Sequence, residues 1–140
     1  MTKQLIFRAA VIPYYIEDGV VKMLFMKPSN TFYGGDAFQI AKGRIEDDET
    51  AEQTAIREGY EELGLRPDNT LSFVNFGVFL GRTTFFLAKV ADKNRFDTPH
   101  FETAETRWMT CEEFQRKGRD IHRAVVMSAM NLIELLEGMT

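Results

Sequence analysis

Two runs of β-forming residues open the chain. Residues 5–16 and 20–27 are separated by Asp18-Gly19, a two-residue pair that favours a tight hairpin, so they are predicted to pair as adjacent strands. Pro13 inside the first run predicts an edge strand or a bulge, because proline lacks a ladder donor. Residues 28–36 (PSNTFYGGD) lose the alternation and read as a loop carrying two aromatics. Residues 37–41 form a short apolar strand that Gly43 ends, and a helical pattern follows from Ala51. Beyond the breaker cluster at 66–69, residues 72–80 and 83–90 predict a second hairpin around Gly81-Arg82. Residues 92–101 read as loop, 106–109 as a short strand and 110–114 as a capped helical turn. Val125, Ala129, Leu132, Ile133 and Leu136 recur at helical period in the last segment. Mixed strands with one helix between them and one at the end predict a single α/β domain over 1–140, layered α/β/α around a mixed sheet.

The central helix carries the unusual chemistry. At about 100° per residue, Glu61 and Glu62 fall within about 60° of Glu58, so three carboxylates share one stripe. Like charges at these spacings destabilise a helix by a few tenths of a kcal/mol per pair. A bound hard cation would compensate, since Mg²⁺ and Mn²⁺ favour carboxylate oxygens. Thr50 and Gln53 form a predicted capping box, and Gly64 stands where a left-handed C-cap belongs. Ala51, Thr54 and Ala55 lie beside the glutamates, and Ile56, Tyr60 and Leu63 are expected to turn into a core on the opposite side.

Composition narrows the class. The 140 residues are 44% hydrophobic, enough for a proper core, and no apolar run reaches the length of a membrane span. The N-terminus has no secretory pattern, and the lone Cys111 suits a reducing compartment, so a cytoplasmic location is expected. A net charge of −4 argues against broad binding to nucleic-acid backbones. An acidic site suits a polyphosphate once divalent metal inverts the local field.

The stretch GRIEDDETAEQTAIREGYEELGL, residues 43–65, resembles the Nudix box. Gly43, Glu49, Arg57-Glu58, Glu61-Glu62 and Gly64-Leu65 stand in its order and spacing, far more specific than a lone glycine motif. Gly59 occupies a normally aliphatic position, at about 1 kcal/mol of helix stability relative to alanine, and Ala41 stands where relatives often have proline. The resemblance implies an α/β/α sandwich and metal-dependent hydrolysis of nucleoside diphosphates linked to another moiety. It implies Glu58 and Glu62 as main metal ligands, with the Gly43 carbonyl joining them and Mg²⁺ or Mn²⁺ as cofactor. Glu61 is either a ligand to a further ion or the base that deprotonates water. Arg57 is expected to orient a box glutamate, and Glu49 to pair within the loop–helix unit.

Around the box, Glu102 and Glu105 precede Trp108-Met109, where relatives often place another acid. Glu105 is the better match as auxiliary ligand or base. Lys42 is the first phosphate candidate, with Arg44 and Arg8 weaker ones and Arg82 weaker still. Phe32 and Tyr33 could stack on a base, whose π-face any aromatic can meet. His100, His122 and Cys111 are expected to be structural or inert. The expected substrate is a small-molecule nucleotide, leaning towards dinucleoside polyphosphates because residues 38–46 (FQIAKGRIE) loosely resemble diadenosine tetraphosphate hydrolases. Nucleoside triphosphates and ADP-ribose are the alternatives, and a non-catalytic nucleotide-binding module is the rival of another class. Monomer and homodimer both remain open.

Overall fold

The computed structural model describes residues 5–139. Strands β1 (Arg8–Glu17) and β2 (Val20–Pro28) form the first hairpin, and Asp18 and Gly19 both take positive φ, as this two-residue turn requires. After β3 (Ala41–Arg44) come helix α1 (Ala51–Leu63), the hairpin β4 (Thr70–Phe79) and β5 (Thr83–Val90), and β6 (Thr103–Met109). Helices α2 (Cys111–Lys117) and α3 (Arg123–Leu136) end the chain. The sheet order is β4-β5-β1-β2-β6, with β3 pairing on β1. Only the β1–β5 pair is parallel among the registered strand pairs, so the sheet is mixed.

Alternation along the buried strands supplies two cores. Ala9 and Val11 of β1, with Leu24, Phe86 and Ala88, pack under Ala55 and Leu63 of α1. Ala10, Ile12 and Tyr14, with Phe25 and Phe85, pack under Phe114 of α2 and Val126 and Ile133 of α3. One layer of helix therefore covers each face, the expected α/β/α arrangement.

Three sequence expectations change in detail. Pro13 lies in a central strand, not at an edge. It falls between the last β3 partner, Val11, and the first β2 partner, Tyr14, where β1 exchanges one antiparallel neighbour for the other. The segment before Gly43 is not a strand over 37–41: Gln39 makes one bridge to Met26 of β2, and regular pairing begins at Ala41. Finally, Leu63 is buried as expected, but Ile56 and Tyr60 are exposed, and the helix buries Thr54, Ala55 and Gly59 in their place. Small residues win because α1 sits close to β1, where a Cβ on Gly59 would come within 2.9 Å of Val11 Cγ1. The helical-wheel argument gave each apolar side chain to the core without knowing how near the sheet would lie. That proximity also explains why glycine stands in place of the aliphatic residue.

Candidate active site

Helix α1 is fixed at both ends. Thr50 caps its N-terminus in a reciprocal box with Gln53, and Gly64, at φ 74°, closes its C-terminus. Loop 92–102 then crosses the C-terminal end: the N–H of His100 donates to the Glu61 carbonyl at 2.8 Å, and Thr103 Oγ1 to that of Glu62 at 2.9 Å. Carbonyls that a helix end leaves unpaired are thereby satisfied by the loop. The close packing at Gly59 brings the neighbouring Glu58 and Glu62 against β3.

Two carboxylates meet there. The Glu58 carboxyl lies directly over Gly43, where any Cβ would collide with it, so this glycine is required by close approach. Glu62 accepts a hydrogen bond from the Lys42 N–H at 3.3 Å. Burial, a hydrogen bond with Glu58 and repulsion from that carboxylate hold Glu62 well above the usual carboxylate range.

Arg57 braces this pair from outside. Its guanidinium grips Glu49 through Nε at 2.8 Å and Nη2 at 2.9 Å. Nη1 donates to Glu58 at 2.8 Å and to Glu61 at 3.3 Å, and Nη2 also reaches the Arg44 carbonyl at 3.2 Å. Hydrogen bonds from Arg57, Thr54 and Glu46 hold the Glu49 carboxyl down at about 2. The planar fork of arginine suits this sharing between acids, which a lysine point charge could not reproduce.

A cleft of about 530 Å³ opens beside Glu58 and Glu62. Arg8, Lys42, Phe32 and Tyr33 line it, together with Glu102 and Arg119. Arg44, Glu61 and Glu105 do not line it: Arg44 offers its backbone to Arg57, Glu61 is turned to the same guanidinium, and Glu105 is held by Arg107 at 2.7 Å. Phe32 is 94% exposed and Tyr33 70%, so neither ring covers the core. Lys42 is lowered from its ordinary pKa by burial and by the neighbouring Arg119 and Arg8, partly offset by Glu62 and Glu58. Sequence reasoning missed Arg119. It stands in the basic run RKGR, and only a bridge from Gly118 to Phe38, far away in the chain, brings it to the cleft.

His122 supports the same wall from behind. It is fully buried, its Nδ1 accepts the Ile40 N–H at 3.1 Å, and its Nε2 has no partner among the described residues. Burial first, then Lys42 and Arg119, push its pKa down to about 3 from 6.5. The unfolded chain therefore binds this proton below pH 6.5 while the folded chain does not until about pH 3. Stability from this group is complete above pH 6.5 and is lost on acidification, at up to about 1.4 kcal/mol per pH unit. His122→Asn, which keeps an acceptor for Ile40, is expected to remove that slope. Thermal unfolding of both proteins from pH 7 to 4 checks it; parallel curves would count against the assignment.

The donor set fits a divalent cation. Among the described residues no three acidic, histidine or cysteine side chains form a ready cluster. Two neighbouring carboxylates, of which only Glu58 has an ion-pair partner among the described residues, lie beside Gly43 of β3 and match ions such as Mg²⁺, which take one or two carboxylates and complete their shell with phosphate oxygens.

The chain is similar to known proteins in sequence and in fold. The family model described as NUDIX domain matches residues 6–129. An RNA pyrophosphohydrolase of Histophilus somni is 27% identical over 121 residues, covering 67% of this chain and 63% of that protein. A second RNA pyrophosphohydrolase, from Pseudoalteromonas atlantica, is 51% identical over 37 residues, 26% of this chain and 21% of that protein. The chain thus matches less than two thirds of the length of either relative. A crystal structure of a C. elegans Ap4A hydrolase binary complex superimposes with a TM-score of 0.74 at 16% identity, covering 92% of this chain and 98% of that one. Among the described residues no helix is long and apolar enough to cross a membrane.

Proposed function

The chain belongs to the Nudix family, and from that premise we propose that it is a metal-dependent pyrophosphohydrolase that cleaves a phosphoanhydride of a nucleoside diphosphate linked to a further group. The observation that carries the reading is the Glu58 carboxyl lying over Gly43, in a cleft that Glu62, Arg8, Lys42 and Arg119 also line. A pair of neighbouring carboxylates is costly in a protein that uses it only as surface. The leaning is towards dinucleoside polyphosphates; the Ap4A hydrolase likeness and the relatives named as RNA pyrophosphohydrolases support a nucleotide phosphoanhydride as substrate.

Glu58, Glu62 and the Gly43 carbonyl would hold Mg²⁺ or Mn²⁺. When bound, such an ion neutralises phosphate oxygens and lowers the pKa of water. Arg57 keeps Glu58 and Glu61 in register by its paired hydrogen bonds. Glu61 either takes the proton from the attacking water or contributes to a further ion. Lys42 and Arg8 meet the phosphate chain, and Phe32 and Tyr33 offer ring faces to a base at the mouth.

The test is a substrate panel with purified protein: a diadenosine polyphosphate, nucleoside triphosphates, ADP-ribose and a 5′-triphosphorylated RNA, each with Mg²⁺ or with excess chelator. Turnover is expected with Mg²⁺ only, and the chelated protein should unfold at nearly the same temperature as untreated protein. Full activity in chelator, or no hydrolysis of any anhydride with either Mg²⁺ or Mn²⁺, would sink the reading.

A further inference from the structure

We propose that Leu80, at the turn between β4 and β5, is a specificity-determining residue: it meets the organic group at the end of the phosphate chain remote from Phe32 and Tyr33. The proposal deepens the hydrolase reading and rests on it for its substrate class. Its starting point is a costly conformation. Among the described residues only Asp18 and Leu80 take positive φ without being glycine, at 53° and 54°. Each stands in a hairpin turn just before a glycine. Aspartate tolerates the left-handed region because its short polar side chain bonds locally, and Asp18 is not among the residues that line the cleft. Leucine has no such relief. Nor does burial compensate, since Leu80 is 45% exposed and joins neither core. It does line the cleft. A bulky residue held in a strained conformation at a cleft wall, with much of its surface bare, is the pattern of a side chain kept for a ligand.

Sheet order sets which part of a substrate Leu80 would meet. At the cleft end of the sheet, β1 lies between β5 and β3: Arg8 pairs with Thr83 on one side and Arg44 on the other, and Ala10 with Lys42. The Arg8 N–H donates to the Arg82 carbonyl at 2.9 Å, which ties the Leu80 turn to β1. Lys42 and the Gly43 under Glu58 therefore stand two strand spacings, about 10 Å, from β5. The Phe32–Tyr33 loop lies on that far side of β1 as well. It leaves β2, returns at the bridge between Gln39 and Met26, and packs at Gly34 against Gln39 and Arg119. Ile121, also an apolar residue of the lining, follows Arg119, whose N–H donates to the Phe38 carbonyl at 2.8 Å. Leu80 is the apolar lining residue that comes from the β4–β5 hairpin. A substrate whose base stacks on Phe32 and Tyr33, and whose phosphates cross Glu58, Glu62, Lys42 and Arg8, would bring whatever follows the phosphates to Leu80. An apolar contact there favours a substrate with an organic group at both ends, such as a dinucleoside polyphosphate, over one that ends in a free phosphate.

Calorimetric titration of the full chain in chelator, with diadenosine tetraphosphate and with adenosine tetraphosphate, tests the contact without requiring catalysis. The two ligands share a phosphate number and differ in the second nucleoside. Leu80→Asn is expected to weaken the diadenosine compound by about fivefold, the scale of leaving the exposed part of one leucine uncovered, and adenosine tetraphosphate by less than about twofold. Leu80→Met, apolar and of similar volume, should bind both as wild type does. Stability separates a ligand role from a packing role. Asparagine accepts the left-handed region, so Leu80→Asn should unfold at the wild-type temperature or a few degrees above it. With Mg²⁺, the ratio of kcat/KM for the diadenosine compound to that for adenosine tetraphosphate should fall by a similar factor in Leu80→Asn. Equal losses for both ligands, no loss, a matching loss in Leu80→Met, a lower unfolding temperature for Leu80→Asn, or no binding of diadenosine tetraphosphate by wild type would overturn the proposal. Binding differences that persist in a wild type unable to hydrolyse any anhydride would support the contact and count against the hydrolase reading alone.

Discussion

Glu62→Gln is expected to lower kcat by about a thousandfold while leaving the protein folded. Glutamine keeps the shape of the side chain and can still accept the Lys42 N–H, but it loses the charge that would hold a cation beside Glu58. Metal ions contribute several kcal/mol of transition-state stabilisation, and each 1.4 kcal/mol is about tenfold in rate. Loss of about 4 kcal/mol accounts for the expected fall. Stability should move the other way. In wild type, burial and the adjacent Glu58 carboxylate disfavour the charged form of Glu62; an amide that donates to Glu58 removes that conflict. Thermal unfolding in chelator should place the variant at or above wild type, and Mg²⁺ should stabilise it less. A variant with near-wild-type kcat would falsify the assignment of this pair as the active centre.

Gly64→Ala should be the most damaging single change to the fold among those considered. Gly64 adopts φ 74°, and its N–H donates to the Tyr60 carbonyl at 2.9 Å to close α1. Alanine in the left-handed region costs about 1–2 kcal/mol. Its methyl group would also land on the Asp97 backbone carbonyl, in the segment whose N–H bonds back to Gly64 at 2.9 Å. Displacing that segment adds about 1–3 kcal/mol, as overpacking does. A total near 3 kcal/mol corresponds to a Tm lower by about 10 °C for a domain of this size. Gly64→Asn tolerates the backbone angle better but carries the same Cβ, so a loss close to that of alanine would locate the cost in the contact. A Tm within about 2 °C of wild type for Gly64→Ala would refute the argument. Activity should suffer too, because loop 92–102 leads to the bonds that hold the Glu61 and Glu62 carbonyls.

Local rules made much of the chain legible. The turn at Asp18-Gly19, the capping boxes at Thr50 and Thr110 and the left-handed Gly64 all depend on residues within a few positions of one another. The acidic stripe was readable for the same reason: helical geometry sets the angle between Glu58 and Glu62 wherever the helix lies. Arg57 fits this class, since Glu49, Glu58 and Glu61 lie on its own helix or the loop just before it.

What the sequence could not supply is distance between elements. Ile56 and Tyr60 looked destined for the core until Gly59 let α1 approach Val11, so that Thr54, Ala55 and Gly59 share the buried face with Leu63. Pro13 suggested an edge or a bulge because nothing in its neighbourhood reveals that β1 changes partners there. Glu105 looked a better match than Glu102 as auxiliary ligand or base, but β6 pairs with β2 in a register that puts Glu105 opposite Lys27, and of the two only Glu102 reaches the cleft lining. The sequence by itself determined the chemistry of this protein, because its carboxylates, glycines and caps are spaced within single elements. Only the tertiary structure decided the membership of the cleft, because Arg119 and His122 reach Phe38 and Ile40 through contacts between segments about eighty residues apart. Burial and charge at such a place follow from packing, which no local spacing encodes.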